Sequence, residues 1–161
     1  MSDSNQELME TLAVRLRNRG VTVAVAESLT GGRVASAMTA VPGSSVYFQG
    51  AIIAYSNQLK VELLGVPFET ILKHGAVSEE CARAMAEGLR RKLGVDVAVA
   101  TTGIAGPDGG SPLKPVGLVW LAVSDGVNTI VSRKVFAGDR NSISSEAATE
   151  ALLLLSSFVG A

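Results

Sequence analysis

The sequence predicts an α/β protein, a three-layer α/β/α domain with a mixed β-sheet. Short segments rich in Val and Ala alternate with longer segments of helical periodicity, which is typical of parallel strands covered by helices. Asp125-Gly126 separates two further apolar segments, and this turn dipeptide predicts an antiparallel pair of strands. A chain of 161 residues, 47% of them hydrophobic, has the size and composition of one globular domain. We therefore expect residues 1–161 to form a single domain.

Caps and apolar spacing place the helices of this domain, and short β-branched segments place its strands. Ser4-Asn5-Gln6-Glu7 has the form of a capping box, and Ser78-Glu79-Glu80 caps a strongly amphipathic helix. Helices are predicted from this box to residue 20, over 33–39, from a Ser56-Asn57 cap through residue 64, over 78–94 and over 142–159. Strands are predicted over 21–26, 47–54, 95–100, 116–124 and 127–136.

Charge and the use of cysteine and histidine exclude several classes of function. A formal charge of −1 argues against a nucleic-acid-binding protein, which normally carries a basic stripe. Cys81 and His74 are the only residues of their types, so one chain forms neither a disulfide framework nor a Cys/His zinc site. The acidic N-terminus does not resemble a signal peptide, and no apolar run reaches the roughly 20 residues that span a bilayer. We expect a cytoplasmic protein that binds no membrane.

Loops rich in glycine and hydroxyl side chains follow several of the predicted strands. They cover residues 26–32, 54–60 and 101–114. In open α/β sheets, ligands bind beyond the carboxyl ends of the strands. We therefore expect these loops to face one crevice.

Ser28 lies where the first predicted strand ends and a helix begins. Backbone N–H groups and the positive end of the helix dipole at such a position bind a phosphate or stabilise an oxyanion, and Gly31 and Gly32 allow close approach of the backbone. The alternative is that Ser28 or Thr30 caps the helix while the glycines shape a turn. Glu27, which precedes Ser28, is either a general acid or a hydrogen-bond anchor.

A serine nucleophile at Ser28 needs a base, and the sequence offers two candidates. His74 is the only imidazole, but no motif around it indicates a Ser-His-Asp triad. Lys60 lies about one turn into the helix that follows the second strand, and a desolvated lysine can lose its proton and activate a hydroxyl. The alternative for Lys60 is an ordinary solvated lysine at the surface.

The segment of residues 103–115 contains four glycines and three prolines, so it forms neither helix nor strand. It is predicted either to wrap around a ligand or to act as a flexible lid. It lacks the lysine-serine or lysine-threonine ending of a Walker loop, which argues against nucleoside triphosphate hydrolysis. Arg140, in the segment FAGDR after the last strand, either clamps a phosphate or forms a surface pair with Asp139.

Several long motifs resemble the CinA C-terminal domain family. They are AESLTGGRVASAMTAVPGSSVYFQGAIIAYSNQLKVELLGVP, HGAVSEECARAMAEG, TTGIAGPDGGSPLKPVGLVWLAV and FAGDR, and they occur in this order. Active members of that family are nicotinamide-nucleotide amidases, which hydrolyse nicotinamide mononucleotide to nicotinic acid mononucleotide and ammonia. The resemblance implies a mixed-sheet α/β/α fold, self-association, and no metal or other cofactor. It also implies a catalytic dyad, because the family serine of E-S-x-T-G-G falls on Ser28 and the family lysine of Y-S-N-x-x-K falls on Lys60.

The resemblance implies further roles around this dyad. They are oxyanion stabilisation by the amides of Thr30, Gly31 and Gly32, positioning of the lysine by Tyr55 and Asn57, enclosure of the nucleotide by Thr102, Gly103 and the loop from Gly106 to Gly110, and phosphate binding by Arg140.

The sequence departs from the family pattern at two positions near these motifs. Many relatives have cysteine where this chain has Leu29, and many have arginine where it has Ser144. Leu29 is expected to be packed, whereas the loss of an arginine weakens phosphate binding if that arginine contributes to it. Two other functions therefore stay open: a catalytically silent nucleotide-binding or regulatory module, and an amidase for a different nucleotide amide.

Overall fold

The computed structural model describes residues 3–160 and contains one five-stranded mixed sheet with the strand order β2-β1-β3-β4-β5. The strands are β1 (Val23–Glu27), β2 (Phe48–Ile53), β3 (Val97–Gly103), β4 (Leu118–Ser124) and β5 (Thr129–Val135). The helices are α1 (Asp3–Arg19), α2 (Arg33–Thr39), α3 (Asn57–Leu64), α4 (Phe68–His74), α5 (Glu79–Leu93) and α6 (Arg140–Gly160), with a short 3-10 helix at Ser44–Val46. Strand β1 is parallel to β2 and β3, whereas β4 is antiparallel to both β3 and β5. The predicted α/β class and mixed sheet are confirmed.

Helices cover both faces of the sheet and create two separate cores. Helices α1, α2 and α6 pack on one face, and α3, α4 and α5 pack on the other. Every residue of β1 is buried; Val23 and Val25 enter the first core, whereas Ala24 and Ala26 enter the second. Burial on both faces explains why this strand is a nearly unbroken apolar run in the sequence.

The chain changes direction across the sheet at β1, and this change creates a crevice. Strand β2 lies on one side of β1 and β3 lies on the other. The helix between β1 and β2 covers one face, and the helices between β2 and β3 cover the opposite face. Connections that leave a central strand in opposite directions open a gap at the carboxyl ends of the strands, where α/β proteins bind ligands.

Most of the predicted elements are present, with shifted ends. The caps at Ser56 and Ser78 are confirmed, because each hydroxyl accepts a hydrogen bond from the backbone N–H three residues later. Helix α1 already includes Asp3, and the side chain of the predicted Ser4 cap lies outside the described residues. Helix α6 begins at Arg140 rather than at residue 142, since the Asp139 carboxylate accepts from the Ser142 N–H.

Helix α4 has no counterpart among the predicted elements. It is seven residues long and buries only Ile71, so it shows no apolar face in the sequence. Phe68 and Leu72 are 57% and 70% exposed.

None of the helices in the described part of the chain is long and apolar enough to cross a membrane.

Candidate active site

The side chains of Ser28 and Lys60 meet at the carboxyl end of the parallel strands. Ser28 directly follows β1, and Lys60 lies on the first turns of α3 after β2. Lys60 Nζ is 3.2 Å from Ser28 Oγ, which is within hydrogen-bonding distance. Both residues are buried, with exposed fractions of 7% for Ser28 and 2% for Lys60. The structure therefore brings the two residues of the implied dyad into contact.

The backbone that follows β2 holds the amine of Lys60. Its Nζ lies 2.9 Å from the carbonyl oxygen of Ala54 and 3.1 Å from that of Tyr55. Together with its bond to Ser28 Oγ, the charged amine thus donates three hydrogen bonds. When the amine loses a proton, the two carbonyls keep its two N–H groups, and the lone pair that results faces the Ser28 hydroxyl. Ser56 caps α3 and thereby fixes the turn that presents both carbonyls. Sequence patterns indicate no role for Ala54.

Burial lowers the pKa of the Lys60 ammonium below its ordinary value of 10.5. None of the carboxylates in the described residues forms an ion pair with it, so the cost of desolvating the charged form is not offset. A thiolate at the neighbouring Cys81 would raise the pKa of Lys60, but burial raises the pKa of this thiol to about 11. The Cys81 side chain is therefore neutral near pH 7, and the lowered pKa of Lys60 shifts its equilibrium toward the uncharged amine.

A network on β3 fixes the backbone of Ser28. The Ser28 N–H donates to the carbonyl oxygen of Thr101 at 3.1 Å. The hydroxyls of Thr30 and Thr101 are 2.8 Å apart, and both residues are completely buried. Thr30 thus joins the turn after β1 to the end of β3 and does not cap α2. Thr101, which begins the hydroxyl-rich segment 101–114, is a positioning residue for this turn.

Glu27 anchors the turn that carries Ser28. Its carboxylate is fully buried and accepts hydrogen bonds from the N–H groups of Gly32 at 2.9 Å, Val34 at 3.3 Å and Ala35 at 2.8 Å. These donors belong to the start of α2, where a negative charge is also stabilised by the helix dipole. Of the two roles predicted for Glu27, the structure supports the hydrogen-bond anchor, because the carboxylate points at backbone donors.

Replacing Glu27 by glutamine should destabilise the protein by about 1–3 kcal/mol, since a carboxamide supplies one acceptor and places an NH₂ group against N–H donors. We also expect turnover to fall about tenfold or more, because the Ser28 turn loses its anchor. Denaturant unfolding and turnover measurements test this, with the exposed Glu146→Gln on α6 as the matched control. Equal unfolding midpoints for Glu27→Gln and the wild type would contradict the anchoring role.

The backbone amides near Ser28 differ in whether they are free to bind an oxyanion. The N–H of Gly31 donates to the Ser28 carbonyl, and that of Gly32 donates to Glu27. These two amides of the implied oxyanion site are therefore occupied. Within the described residues no acceptor is found for the N–H groups of Leu29 and Thr30. Of the amides expected to stabilise an oxyanion, that of Thr30 is therefore without an acceptor among the described residues, as is that of Leu29, whereas those of Gly31 and Gly32 are already occupied.

A cavity of about 220 Å³ opens directly onto Ser28 and Lys60. Its walls are Leu29, Tyr55, Asn57, Ala76, Val77, Thr102, Gly103 and Ala105. Asn57 lines this cavity, but it makes no hydrogen bond to Lys60 among the described side chains, so the implied positioning role falls to the carbonyls of Ala54 and Tyr55. The Thr102 hydroxyl donates to the Ala76 carbonyl at 2.8 Å. At Gly103 a Cβ would lie 2.7 Å from the Leu118 carbonyl oxygen, so only glycine fits there.

The glycine-rich loop of residues 103–115 is attached at several points. Its Lys114 side chain donates to the His74 carbonyl, at the end of α4. The Gly106 carbonyl accepts from Arg140 Nη1 at 2.7 Å. Arg140 Nη2 donates in turn to the Tyr55 hydroxyl. Arg140 therefore bridges the loop and the segment after β2, instead of pairing with Asp139.

His74 does not take part in this arrangement. Its Nδ1 is 3.3 Å from a carboxylate oxygen of Glu80, and its side chain makes no contact with Ser28 among the described hydrogen bonds. The triad alternative is therefore not supported. The residues described contain no group of His, Cys, Asp and Glu side chains that could hold a metal ion.

Almost the whole chain matches one known family of domains. The model of the CinA C-terminal domain matches residues 5–159. The chain belongs to the CinA C-terminal domain family. Relatives in this family include a CinA-like protein of Citrifermentans bemidjiense, 50% identical over 144 residues, and a CinA-like protein of Thermotoga maritima, 50% identical over 149 residues. These alignments cover 89% and 92% of this chain but only 35% and 36% of the relatives. The chain thus spans about a third of the length of these relatives.

Solved structures of CinA superfamily proteins share this architecture over nearly their whole length. The competence/damage inducible protein CihA of Agrobacterium tumefaciens superposes with a TM-score of 0.96 at 36% identity, covering 100% of this chain and 98% of that one. The competence damage-inducible protein A of Klebsiella pneumoniae gives a TM-score of 0.93 at 35% identity and covers 97% of each chain. The three-layer fold is therefore common to these CinA proteins and to this chain.

Proposed function

We propose that this CinA domain hydrolyses the carboxamide of nicotinamide mononucleotide, with Ser28 as the nucleophile and Lys60 as its base. The observation that carries the proposal is the 3.2 Å contact between Lys60 Nζ and Ser28 Oγ, in surroundings that favour the neutral amine. Membership of the family supports the same reaction, through the resemblance of the Ser28 and Lys60 motifs to those of the nicotinamide-nucleotide amidases.

In the first half of the proposed reaction, Ser28 becomes acylated. Lys60 takes the hydroxyl proton as Ser28 Oγ attacks the carboxamide carbon, and the carbonyl oxygen becomes an oxyanion facing the N–H groups of Leu29 and Thr30. The Lys60 ammonium then returns its proton to the departing nitrogen. The C–N bond breaks, ammonia leaves, and an ester joins Ser28 to the acyl group.

In the second half, water replaces the ester. Lys60 is neutral again once ammonia has left, so it can take a proton from a water molecule that attacks the same carbonyl carbon. The second tetrahedral intermediate collapses, Ser28 Oγ leaves as the alcohol after receiving the proton from Lys60, and the carboxylic acid is released. Lys60 thus transfers protons in both halves of the reaction. The carbonyls of Ala54 and Tyr55 hold its Nζ next to Ser28 throughout.

The surroundings of Ser28 suit a planar acyl group that carries a phosphorylated sugar. The cavity next to Ser28 and Lys60 is small and has a mixed lining. Its apolar side chains, among them Leu29, Val77 and Ala105, can pack against a pyridine ring, and its polar groups can orient the carboxamide. A second cavity of about 440 Å³ adjoins it and is lined in part by Arg33 and Arg140. Arginine side chains bind phosphate through paired N–H groups, which supports a mononucleotide as the substrate.

Release of ammonia from nicotinamide mononucleotide tests the proposed activity. We expect stoichiometric formation of ammonia and nicotinic acid mononucleotide by the purified protein. Tight binding of the mononucleotide in calorimetry, without turnover, would contradict the proposal and favour the silent nucleotide-binding module. Turnover of another nucleotide amide in its place would correct the substrate and leave the chemistry of the dyad intact.

The pH dependence of kcat/KM should follow the ionisation of Lys60. Because the reaction needs the neutral amine, we expect kcat/KM to rise with pH through the pKa of Lys60 and then level off. Burial lowers this pKa below 10.5, so the rise should lie at lower pH than for an exposed lysine. Initial rates between about pH 5 and pH 10, corrected for spontaneous hydrolysis, provide the measurement. A profile that starts to rise only near the ordinary lysine value would contradict a neutral amine at rest.

A further inference from the structure

Tyr55 stands between two neighbouring cavities, and Arg140 lines the second of them. One cavity contains Ser28 and Lys60, and the other is lined by Arg33, Asn141 and Ser144; Leu29 and Tyr55 belong to the walls of both. Arg140 joins Tyr55 to the glycine-rich loop by donating to the Tyr55 hydroxyl and to the Gly106 carbonyl. We refer to this three-residue arrangement of Tyr55, Arg140 and Gly106 as the clasp.

The second cavity is positively charged, and its cations have only neutral partners. Its lining includes the two arginines Arg33 and Arg140 and no acidic side chain. Arg33 donates to the Thr30 carbonyl at 3.2 Å and to Asn141 Oδ1 at 2.9 Å, and Arg140 donates to a carbonyl and a phenol. Neither arginine forms an ion pair with the described residues. Since guanidinium groups bind anionic oxygens more strongly than neutral ones, an anion can replace these partners.

We propose that Tyr55 is a specificity-determining residue. Its hydroxyl accepts a hydrogen bond from Arg140 in the free protein, and a dianionic group of the substrate replaces the hydroxyl as the acceptor. This inference rests on the proposed function. A phosphate monoester bound by Arg140 and Arg33 would draw Arg140 away from the Tyr55 hydroxyl and open the clasp. The passage between the two cavities then accommodates the sugar that connects the phosphate to the ring.

Replacement of the Tyr55 hydroxyl by a phosphate at Arg140 links phosphate binding in the second cavity to hydrolysis of the amide in the first. A substrate without a phosphate must break the Arg140 bond to Tyr55 with nothing to replace it, whereas a phosphorylated substrate regains charge-assisted hydrogen bonds. Binding energy from a part of the substrate that does not react is thus used to open the site in which the amide reacts. The free dianion should therefore also act when it is not attached to the substrate.

The experiment separates the amide from the phosphate. Nicotinamide riboside, which lacks the phosphate, is assayed with and without added phosphite dianion, and nicotinamide mononucleotide serves as the positive control. We expect slow hydrolysis of the riboside alone and a rise of about tenfold or more with saturating phosphite, as anion contacts of this strength predict. Arg140→Ala should abolish this activation. The control Arg91→Ala, which removes an exposed arginine from the last turn of α5, should preserve it.

Tyr55→Phe distinguishes the clasp from a simple anion site, because it keeps the ring and removes only the hydroxyl. We expect this variant to hydrolyse the riboside faster than the wild type and to reduce the ratio of kcat/KM between mononucleotide and riboside. If the mononucleotide is hydrolysed but phosphite never activates the riboside, or if Tyr55→Phe leaves the ratio unchanged, the clasp is overturned and the amidase stands. If neither compound is hydrolysed, the proposed function fails first.

Discussion

Replacing Lys60 by methionine is expected to reduce kcat for amide hydrolysis by about 10³-fold or more, as for removal of the base of a nucleophile-base pair. Methionine retains much of the buried apolar stem, but it carries no group that can accept the Ser28 proton. The carbonyls of Ala54 and Tyr55 lose their donor, while the cost of burying an amine disappears. These effects oppose each other, so we expect the free energy of unfolding to change by less than about 2 kcal/mol.

The comparison that isolates the base is Lys92→Met, which removes an exposed lysine from the last turn of α5. This control should retain wild-type turnover. Thermal unfolding of both variants shows whether any loss of activity results from unfolding. A folded Lys60→Met protein with turnover within about tenfold of the wild type would rule out Lys60 as the base, since general-base catalysis contributes about 10²-fold or more.

Replacing Ser28 by alanine should produce a loss of kcat at least as large, because it removes the only group proposed to form a bond to the substrate. The backbone of the turn should persist, since the Ser28 N–H bond to the Thr101 carbonyl and the Glu27 anchor do not involve the Ser28 hydroxyl. Binding of nicotinamide mononucleotide should therefore be largely retained. Kinetics and calorimetry on the same protein preparation test both expectations.

A combined Ser28→Ala and Lys60→Met protein provides a further comparison. Because the two residues act as one unit, the double variant should be about as impaired as either single variant. Losses that multiply in the double variant would show that serine and lysine act independently. That result would contradict the dyad.

The parts of the fold that the sequence predicts are those with a strong apolar periodicity, a helix cap or a turn motif. Ser56 and Ser78 mark helix starts because a hydroxyl at that position pairs with a free backbone N–H. Strands β1 and β3 are recognisable because both faces are buried. Helix α4 has neither signal, since it is short and most of its apolar side chains lie at the surface.

Spacing alone could nominate Ser28 and Lys60 but could not select them. Their meeting depends on β1 and β2 being neighbours in the sheet and on the exact turn that directs Lys60 toward β1, and neither is encoded in local periodicity. The motif resemblance supplied that selection. Ala54 and Thr101 fall in loops that the sequence places at the crevice, but their roles are not predictable from it. A backbone carbonyl has no signature in the sequence, and a threonine in a buried strand resembles an ordinary β-branched residue.

The most direct test of a neutral lysine acting on a serine nucleophile is to isolate the covalent intermediate. Wild-type protein mixed with nicotinamide mononucleotide, quenched in acid within the first turnovers and digested with protease should contain an acyl mass increment on the peptide carrying Ser28. The increment should be absent from Ser28→Ala and should form far more slowly in Lys60→Met. Ammonia release at full rate without any such increment, or an increment on another residue, would contradict the proposed chemistry.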